Sequence, residues 1–516
     1  MEILGLTVPL WLLLIVIILV LYTYMMSRHH GTFKKLNIPG PAPWPIIGSL
    51  PEISKKGIHN FQYDCMKKYG KVFGFYGGVS PSTIVVGDKE MLRQIMIKEF
   101  ANFSDRMTIN GLNGDLDSSL LCLSGDHWRH VRNKITPAFS SGKLRKMCLL
   151  VDTCSDTLVQ SLKRKVKDGH GVMDMMDAFG GYTMDVICST AFGIQVDSQQ
   201  NPNDEFVLHA KKFLDVNFSS PILLVLMFLP KLIPLIIKLG WTFADKNTLK
   251  FFRQVTIKLL NERVSGDKNH ADFLQLMKNV QQDVDDSDDD GDKDEEIDGG
   301  NNQTKSWRNE GITFDEVLGN AEIFFFAGYE TTTASLAMAA YHLAVHPECQ
   351  EKLRQELATK IGSNPLTYDN VQKVEYLEMV INETLRIHPV AIQTDRMCMK
   401  DTVIGGIRIP AGLSIGIPIY CIHHDPDNWE DPDKFIPERF AGKDNHDPLN
   451  FLPFGYGPRN CVGMRLALME MKMALAKVVR NFKMSVCKET QVPPDFHRMG
   501  LLKPKSSNLK LEKISP

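Results

Sequence analysis

The stretch PFGYGPRNCVG, residues 453 to 463, surrounds one cysteine with three glycines, two prolines and an arginine. An apolar helical pattern, GMRLALMEMKMALAKVVRNF, begins directly behind it. A thiolate is a strong metal ligand, but an ordinary thiol is mostly protonated near neutral pH. At the mouth of a helix, unsatisfied N–H groups and the helix dipole favour the thiolate form of Cys461. The glycines let a flat ligand approach the backbone closely, and Arg459 could hold an acidic group. These residue types suit a sulfur bound to iron in a planar, carboxylate-bearing cofactor, which is haem. Two other readings compete: a cysteine packed inertly in the core, and a nucleophile, for which no His/Asn arrangement is present.

Three further pairs could do chemistry. Trp128 and Arg132 are four apart and project from one helix face, an indole donor beside a guanidinium. Glu383 and Arg386, three apart, can pair, and such a pair is worth little if it lies on a surface. Glu330 and Thr331 sit midway along an apolar run, IFFFAG then TTTASLAMAA, where a buried charge needs a purpose. Their side chains could bond into the helix and open a groove for oxygen and water, or be merely an exposed acid and a harmless Thr.

The elements that must position these groups are largely helical from about Lys89 onward. The longest segment runs from Thr313 to Pro347, with Thr313 and Glu316 spaced as a capping box. KVFGFYGG, STIVVGD and VIGGIRIPAGLSIGIPI read as short strands broken by glycine and proline. Ile3 to Met26 carries no charge across 24 residues, enough for a helix through a bilayer core of ~30 Å. Arg28, Lys34 and Lys35 follow it, which places the remaining chain in the cytosol. Residues 1–26 are therefore read as a transmembrane anchor, 27–48 as a basic, proline-rich stiff linker, and 49–516 as the catalytic domain.

Charge is unevenly spread. Residues 281–304 hold 11 acidic residues against one lysine, so this segment is at −10 while the whole chain is at −2 and the remainder at +8. The segment is too poor in apolar residues to fold and is read as a disordered loop. The basic remainder points to an acidic protein partner or an anionic membrane, and no basic cluster comes with a nucleic-acid recognition motif. Residues 213–243 are apolar and broken by Pro221, Pro230 and Pro234, so they read as short helices that dip into a membrane face or line a substrate entrance, with ordinary core helices as the competing reading. The ten cysteines are scattered without a C-x-x-C pair, which excludes zinc fingers and a thioredoxin-type site.

Together these residues resemble the cytochrome P-450 family. Phe454, Gly457, Arg459, Cys461 and Gly463 match F-x-x-G-x-R-x-C-x-G in full. AGYETT (Ala327 to Thr332) resembles the oxygen-activating kink of the central helix, and ETLR (Glu383 to Arg386) the E-x-x-R pair. PERF (Pro437 to Phe440) resembles the segment whose arginine completes that pair, and WRHVR (Trp128 to Arg132) the haem-contacting helix. The closest pattern is that of microsomal drug- and steroid-oxidising members.

The resemblance implies a mostly α fold with small β-sheets behind a single N-terminal transmembrane helix. It implies haem b ligated by Cys461, with Phe454 beside it. Trp128, Arg132, Arg459, Arg106 and Arg396 would contact the propionates; for Arg106 and Arg396 a solvated surface charge is the competing reading. Glu383, Arg386 and Arg439 would hold the cysteine loop, and Glu330 with Thr331 would deliver protons. Phe324, Phe326, Ala327, Val390, Ala391, Ile392 and Leu501 would line a hydrophobic substrate pocket. The implied activity inserts one atom of dioxygen into a steroid, lipid or xenobiotic on the cytosolic face of the endoplasmic reticulum. NADPH and flavins would act only through a partner reductase, with cytochrome b5 as a second donor, because the chain has no nucleotide-binding fingerprint. A basic patch including Arg129, Lys134 and Lys143 would steer that acidic flavoprotein. Two alternatives stay open: an isomerase or dehydratase acting on lipid peroxides without reductase, and a haem carrier without turnover.

Overall fold

The structure is a computed structural model. It describes residues 2–3, 6–7, 10–77, 82–169, 171–201, 204–214, 225, 229, 232–242, 245–263, 272–285, 311–442 and 446–514. Most of the apolar stretch 213–243 and acidic residues 286–304 lie outside these. The contacts group into two compact units, each drawn from separated parts of the chain.

The first unit takes residues 1–107, 217–241 and 393–422. Its centre is a four-stranded sheet in the order Val72–Tyr76, Ser82–Val86, Ser414–Ile417, Thr394–Met397. The two middle strands are parallel, with Ile84 opposite Ile415, and the outer pairs are antiparallel. The middle strands are rich in β-branched residues, and Ile84, Val85, Val86, Ile415 and Ile417 are wholly buried. A separate two-stranded ribbon, Thr402–Ile404 with Ile407–Ile409, completes the strands expected from VIGGIRIPAGLSIGIPI.

The proline-rich segment is sewn to this sheet. Gly74 N–H donates to the Pro39 carbonyl at 2.8 Å, and a Cβ on Gly40 would stand 2.0 Å from the Gly74 oxygen. Only glycine fits there. Phe33 and Ile38 are buried beside it.

The N-terminal helix runs from Leu10 to Ser27, 18 residues, where the sequence pattern predicts one from Ile3. Pro9 precedes it in sequence, and proline favours the start of a helix rather than its interior. Glu2–Ile3 and Leu6–Thr7 form a small antiparallel pair instead. At ~1.5 Å per residue the helix is about 27 Å long. Among the described residues no helix is long and apolar enough to cross a membrane.

The second unit takes residues 108–216, 242–392 and 423–516. Its axis is a 32-residue helix, Phe314–Val345, opened by the expected capping box of Thr313 and Glu316. Helices Met175–Ile187, Lys246–Asn261, Glu375–Ile387 and Met464–Asn481 pack around it, so nearly every side of the long helix is buried. A three-stranded sheet in the order Phe482–Ser485, Asn508–Lys513, Val172–Asp174 closes one end. Helix Phe273–Asp285 includes the first five residues of the segment expected to be disordered. Its apolar positions Phe273, Leu274 and Met277 are buried and carry those residues into the helix. The chain is thus mostly helical with small sheets, as the resemblance implies.

Candidate functional site

Cys461 lies two residues before Gly463, the N-cap of the helix Met464–Asn481. Gly455 and Gly457 take positive φ (70° and 75°), the left-handed region that favours glycine. The loop folds back so that Cys461 N–H donates to the Phe454 carbonyl at 2.8 Å. Of the ten cysteines, Cys461 is exposed, Cys487 is half-buried and eight are buried. This loop therefore presents Cys461 at an exposed position.

Two side chains next to the sulfur brace the loop. Arg459, 4% exposed, donates to the Leu120 carbonyl at 3.1 Å and to the Leu123 carbonyl, and lies 4.4 Å from the centre of the Trp128 ring. A buried guanidinium over an indole is held by both charge and packing. Arg132, one turn along from Trp128, donates to Asn460 Oδ1 at 3.0 Å. The helix Gly125–Ile135 thus grips the two residues that directly precede Cys461.

Arg106 and Arg396 belong to the first unit and face one another there. Arg396 is 1% exposed, which rules out a solvated role, and Arg106 is half-buried. Burial, and then the neighbouring Arg106 charge, push the Arg396 guanidinium down to about 10. Among the described residues, the buried Nε of each arginine has no acceptor. Two like charges with orphaned donors call for an anionic ligand. Haem carboxylates would fit that requirement, and Cys461, an exposed residue, would supply a sulfur ligand for iron.

Along the long helix one strip lacks protein cover. Ala327 is exposed, and Ile323, Phe324, Gly328 and Thr331 are partly exposed, whereas Phe325, Phe326, Tyr329, Glu330 and Thr332 are buried. Ile323, Ala327 and Thr331 recur every four residues and share one face. Thr331 Oγ1 donates to the Ala327 carbonyl at 2.6 Å, and the helix runs unbroken through this point. Glu330 turns elsewhere. Its Oε1 accepts from Lys503 Nζ at 2.6 Å, in a cavity of about 380 Å³ that also includes Asp177, Lys211 and His497.

Glu383 and Arg386 are both fully buried and joined by two bonds of 2.7 and 2.9 Å. Arg439 Nε reaches Glu383 Oε1 at 3.3 Å, so the expected trio is assembled. Arg386 also donates to the carbonyls of His423 (2.8 Å) and Lys434 (3.2 Å). His423 Nδ1 lies 3.1 Å from the Arg386 carbonyl, and its Nε2 accepts from Leu452 N–H at 2.8 Å. Leu452 in turn accepts from Gly455 N–H at 3.0 Å. Polar contacts therefore run unbroken from the trio to the cysteine loop. Burial, with His424 and Arg386 nearby, pushes His423 well below its usual range and keeps it neutral, as its accepting Nε2 requires.

The remaining pocket residues divide. Phe326 is buried against Phe213 and Phe252, and Val390 and Ile392 are also buried. Ala391 and Leu501 are half-exposed, and Leu502 N–H donates to the Val390 carbonyl at 2.9 Å, which brings those two segments side by side. Phe324 packs on Phe139 and Phe273. Of the basic residues, His127 bonds Glu316, Arg129 pairs with Asp126 and Arg145 with Asp369. Lys134, Lys143 and Lys146 make no ion pair among the described residues.

Sequence reasoning missed Lys503, His423 and Asn460. Lys503 and Asn460 lie in loops and His423 ends the short helix Ile419–His423, and no spacing rule connects Lys503 to Glu330 across 173 residues.

The family model for Cytochrome P450 matches residues 38–511. The chain is 40% identical over 504 residues to Cytochrome P450 3A5 of Homo sapiens, covering 97% of this chain and 95% of that one. It is 40% identical over 505 residues to Cytochrome P450 3A29 of Sus scrofa and 39% identical over 505 to Cytochrome P450 3A11 of Mus musculus, with the same coverage.

Proposed function

The chain belongs to the cytochrome P450 family and is a haem-thiolate monooxygenase, and we propose that its own residues divide that work as follows. Cys461 would hold the haem iron through its thiolate, and its exposure at the tip of a hydrogen-bonded loop is the observation that carries the reading. Haem bound there would supply the dioxygen chemistry, with the sulfur as its electron-donating ligand. Arg106, Arg396 and Trp128 hold the propionates, supported by the orphaned Nε atoms of the two arginines. Arg459 and Arg132 add positive charge there and brace the loop through Leu120, Leu123 and Asn460. Phe454, whose carbonyl accepts from Cys461 N–H, would line the haem beside that residue. Glu383, Arg386 and Arg439 fix the loop through His423.

Thr331 holds a proton at Oγ1 on the uncovered strip, and Glu330 takes protons from the solvent-facing cavity beside Lys503. Phe324, Ala327, Ala391 and Leu501 face the substrate, with Phe326, Val390 and Ile392 backing them. This mostly apolar set favours steroid-, lipid- or drug-like molecules. Electrons come from NADPH through a flavoprotein reductase, with cytochrome b5 as a second donor. The helix Leu10–Ser27 exposes Trp11, Leu14, Val20, Leu21 and Tyr24, a surface suited to lipid, and anchors the protein in the endoplasmic reticulum membrane.

The test is Cys461→Ala in the reductase-reconstituted protein. Loss of the red-shifted carbon monoxide band, together with loss of oxygenated product, is expected. An unchanged spectrum would overturn the ligand assignment.

A further inference from the structure

One buried acid takes no part in the site described above. Glu322, on the long helix, is 1% exposed, and among the described residues neither carboxylate oxygen has a hydrogen-bond donor. An ionised carboxylate left unpaired in that position is strongly disfavoured, and such a group takes up a proton instead. The group it meets is another acid, Asp115, on the short turn Gly114–Ser118. Asp115 is ion-paired with Arg253 of the helix Lys246–Asn261.

The same turn lies hard against the long helix at neighbouring positions. A Cβ on Gly319 would stand 2.2 Å from the Asp115 carbonyl oxygen, so the backbones touch there. Asn320 Oδ1 accepts from Leu120 N–H at 3.0 Å, and its Nδ2 donates to the Glu316 carbonyl at 2.7 Å. The turn's other acid, Asp117, is already used locally by Gly111 N–H and the Asn113 side chain. The charged groups around the pair are Arg253 and, farther out, Asp315, while Glu316 is engaged by His127.

We propose that Asp115 and Glu322 share one proton and, with Arg253, form a latch that fastens the turn Gly114–Ser118 to the long helix and loosens when that proton leaves. The proton supplies the donor that Glu322 otherwise lacks: its O–H donates to the Asp115 carboxylate, which accepts from Arg253 on its other side. With one proton, the trio sums to zero charge. Without it, a net negative charge stays buried. Burial and the Asp115 charge push the Glu322 carboxyl up to about 9, so the latch is closed at neutral pH. Just beyond the turn, Leu120 and Leu123 offer the carbonyls that hold Arg459, so the latch steadies one support of the cysteine loop.

The experiment uses the full-length, haem-loaded protein. Amide hydrogen exchange over residues 108–124, corrected for the intrinsic pH dependence of exchange, is followed from about pH 7 to about pH 10. Protection should fall roughly tenfold in the native sequence and stay level in Glu322→Gln, whose neutral amide cannot lose the shared proton. A carboxylic-acid carbonyl band in the infrared spectrum at neutral pH should be present in the native protein and absent from Glu322→Gln. If that variant does not fold, Asp115→Asn serves, since Glu322 can then ionise against Arg253 and the alkaline step should also vanish. Equal alkaline loss of protection in native and variant proteins would overturn the proposal, as would the absence of a variant-sensitive acid band.

Discussion

Glu383 and Glu330 are both buried acids bonded to a cation, yet their surroundings differ. Glu383 and Arg386 are wholly excluded from solvent; Glu383 takes four bonds, from Arg386 twice, Arg439 and the Ile436 amide. Glu330 has one cation, Lys503, whose side chain is 26% exposed, and it borders a cavity open to water. A charge whose lone pairs are all used inside the fold has nowhere to move. One held by a single wet lysine can rotate, exchange protons and be remade. The first arrangement suits a fixed support, the second a proton carrier.

The contrast can be broken most severely at the fixed support. Arg386→Ala leaves Glu383 buried against Arg439 alone, and removing one partner of a buried pair costs about 3–5 kcal/mol. Haem retention and the thermal midpoint should both collapse, whereas Lys503→Met should leave both close to native. A native-like haem content in Arg386→Ala would make the two acids equivalent.

A smaller effect comes from the histidines behind that support. His342, pushed down to about 3 by burial, and His423, pushed well below its usual range, stay neutral in the fold. In the unfolded chain each takes up a proton near pH ~6.5. Stability contributed by neutral burial is therefore complete above that pH and is lost as pH falls below it, by about 1.4 kcal/mol per pH unit for each histidine. His342→Phe, which can keep the stack on Phe435, should remove one histidine's share of this acid slope in thermal unfolding.

At the mobile acid the expected changes are kinetic. Thr331→Ala should keep haem binding while product per NADPH falls severalfold and peroxide rises. Lys503→Met should move the pH profile of coupling, a readout that a purely structural lysine would not affect, and Lys503→Arg should restore it. The mildest effect belongs to the surface. Reversing Lys134, Lys143 and Lys146 should slow reduction by the reductase and flatten its salt dependence, while peroxide-driven turnover persists.

The sequence displays what is local. The cysteine loop, the capping box at Thr313 and the E-x-x-R pair are each set by residues within a few positions of one another, so pattern alone exposes them. The buried state of Arg396 and the wet partner of Glu330 depend on packing between distant segments, which spacing does not encode. The same reason explains the N-terminal helix: a continuous apolar run predicts a start at Ile3, whereas the backbone begins it at Leu10, after a proline. It also explains the acidic segment, whose first five residues are helical because apolar neighbours upstream bury one face.

The bond from Arg459 to the Leu120 carbonyl spans 339 residues. On a ribosome adding ~5–20 residues per second, Leu120 is made roughly 20–70 s before its partner. During that interval its carbonyl must rely on water or a passing chaperone. The support for the cysteine loop is consequently among the last parts of this unit to be finished, and cofactor capture through it must wait until nearly the whole polypeptide has been synthesised.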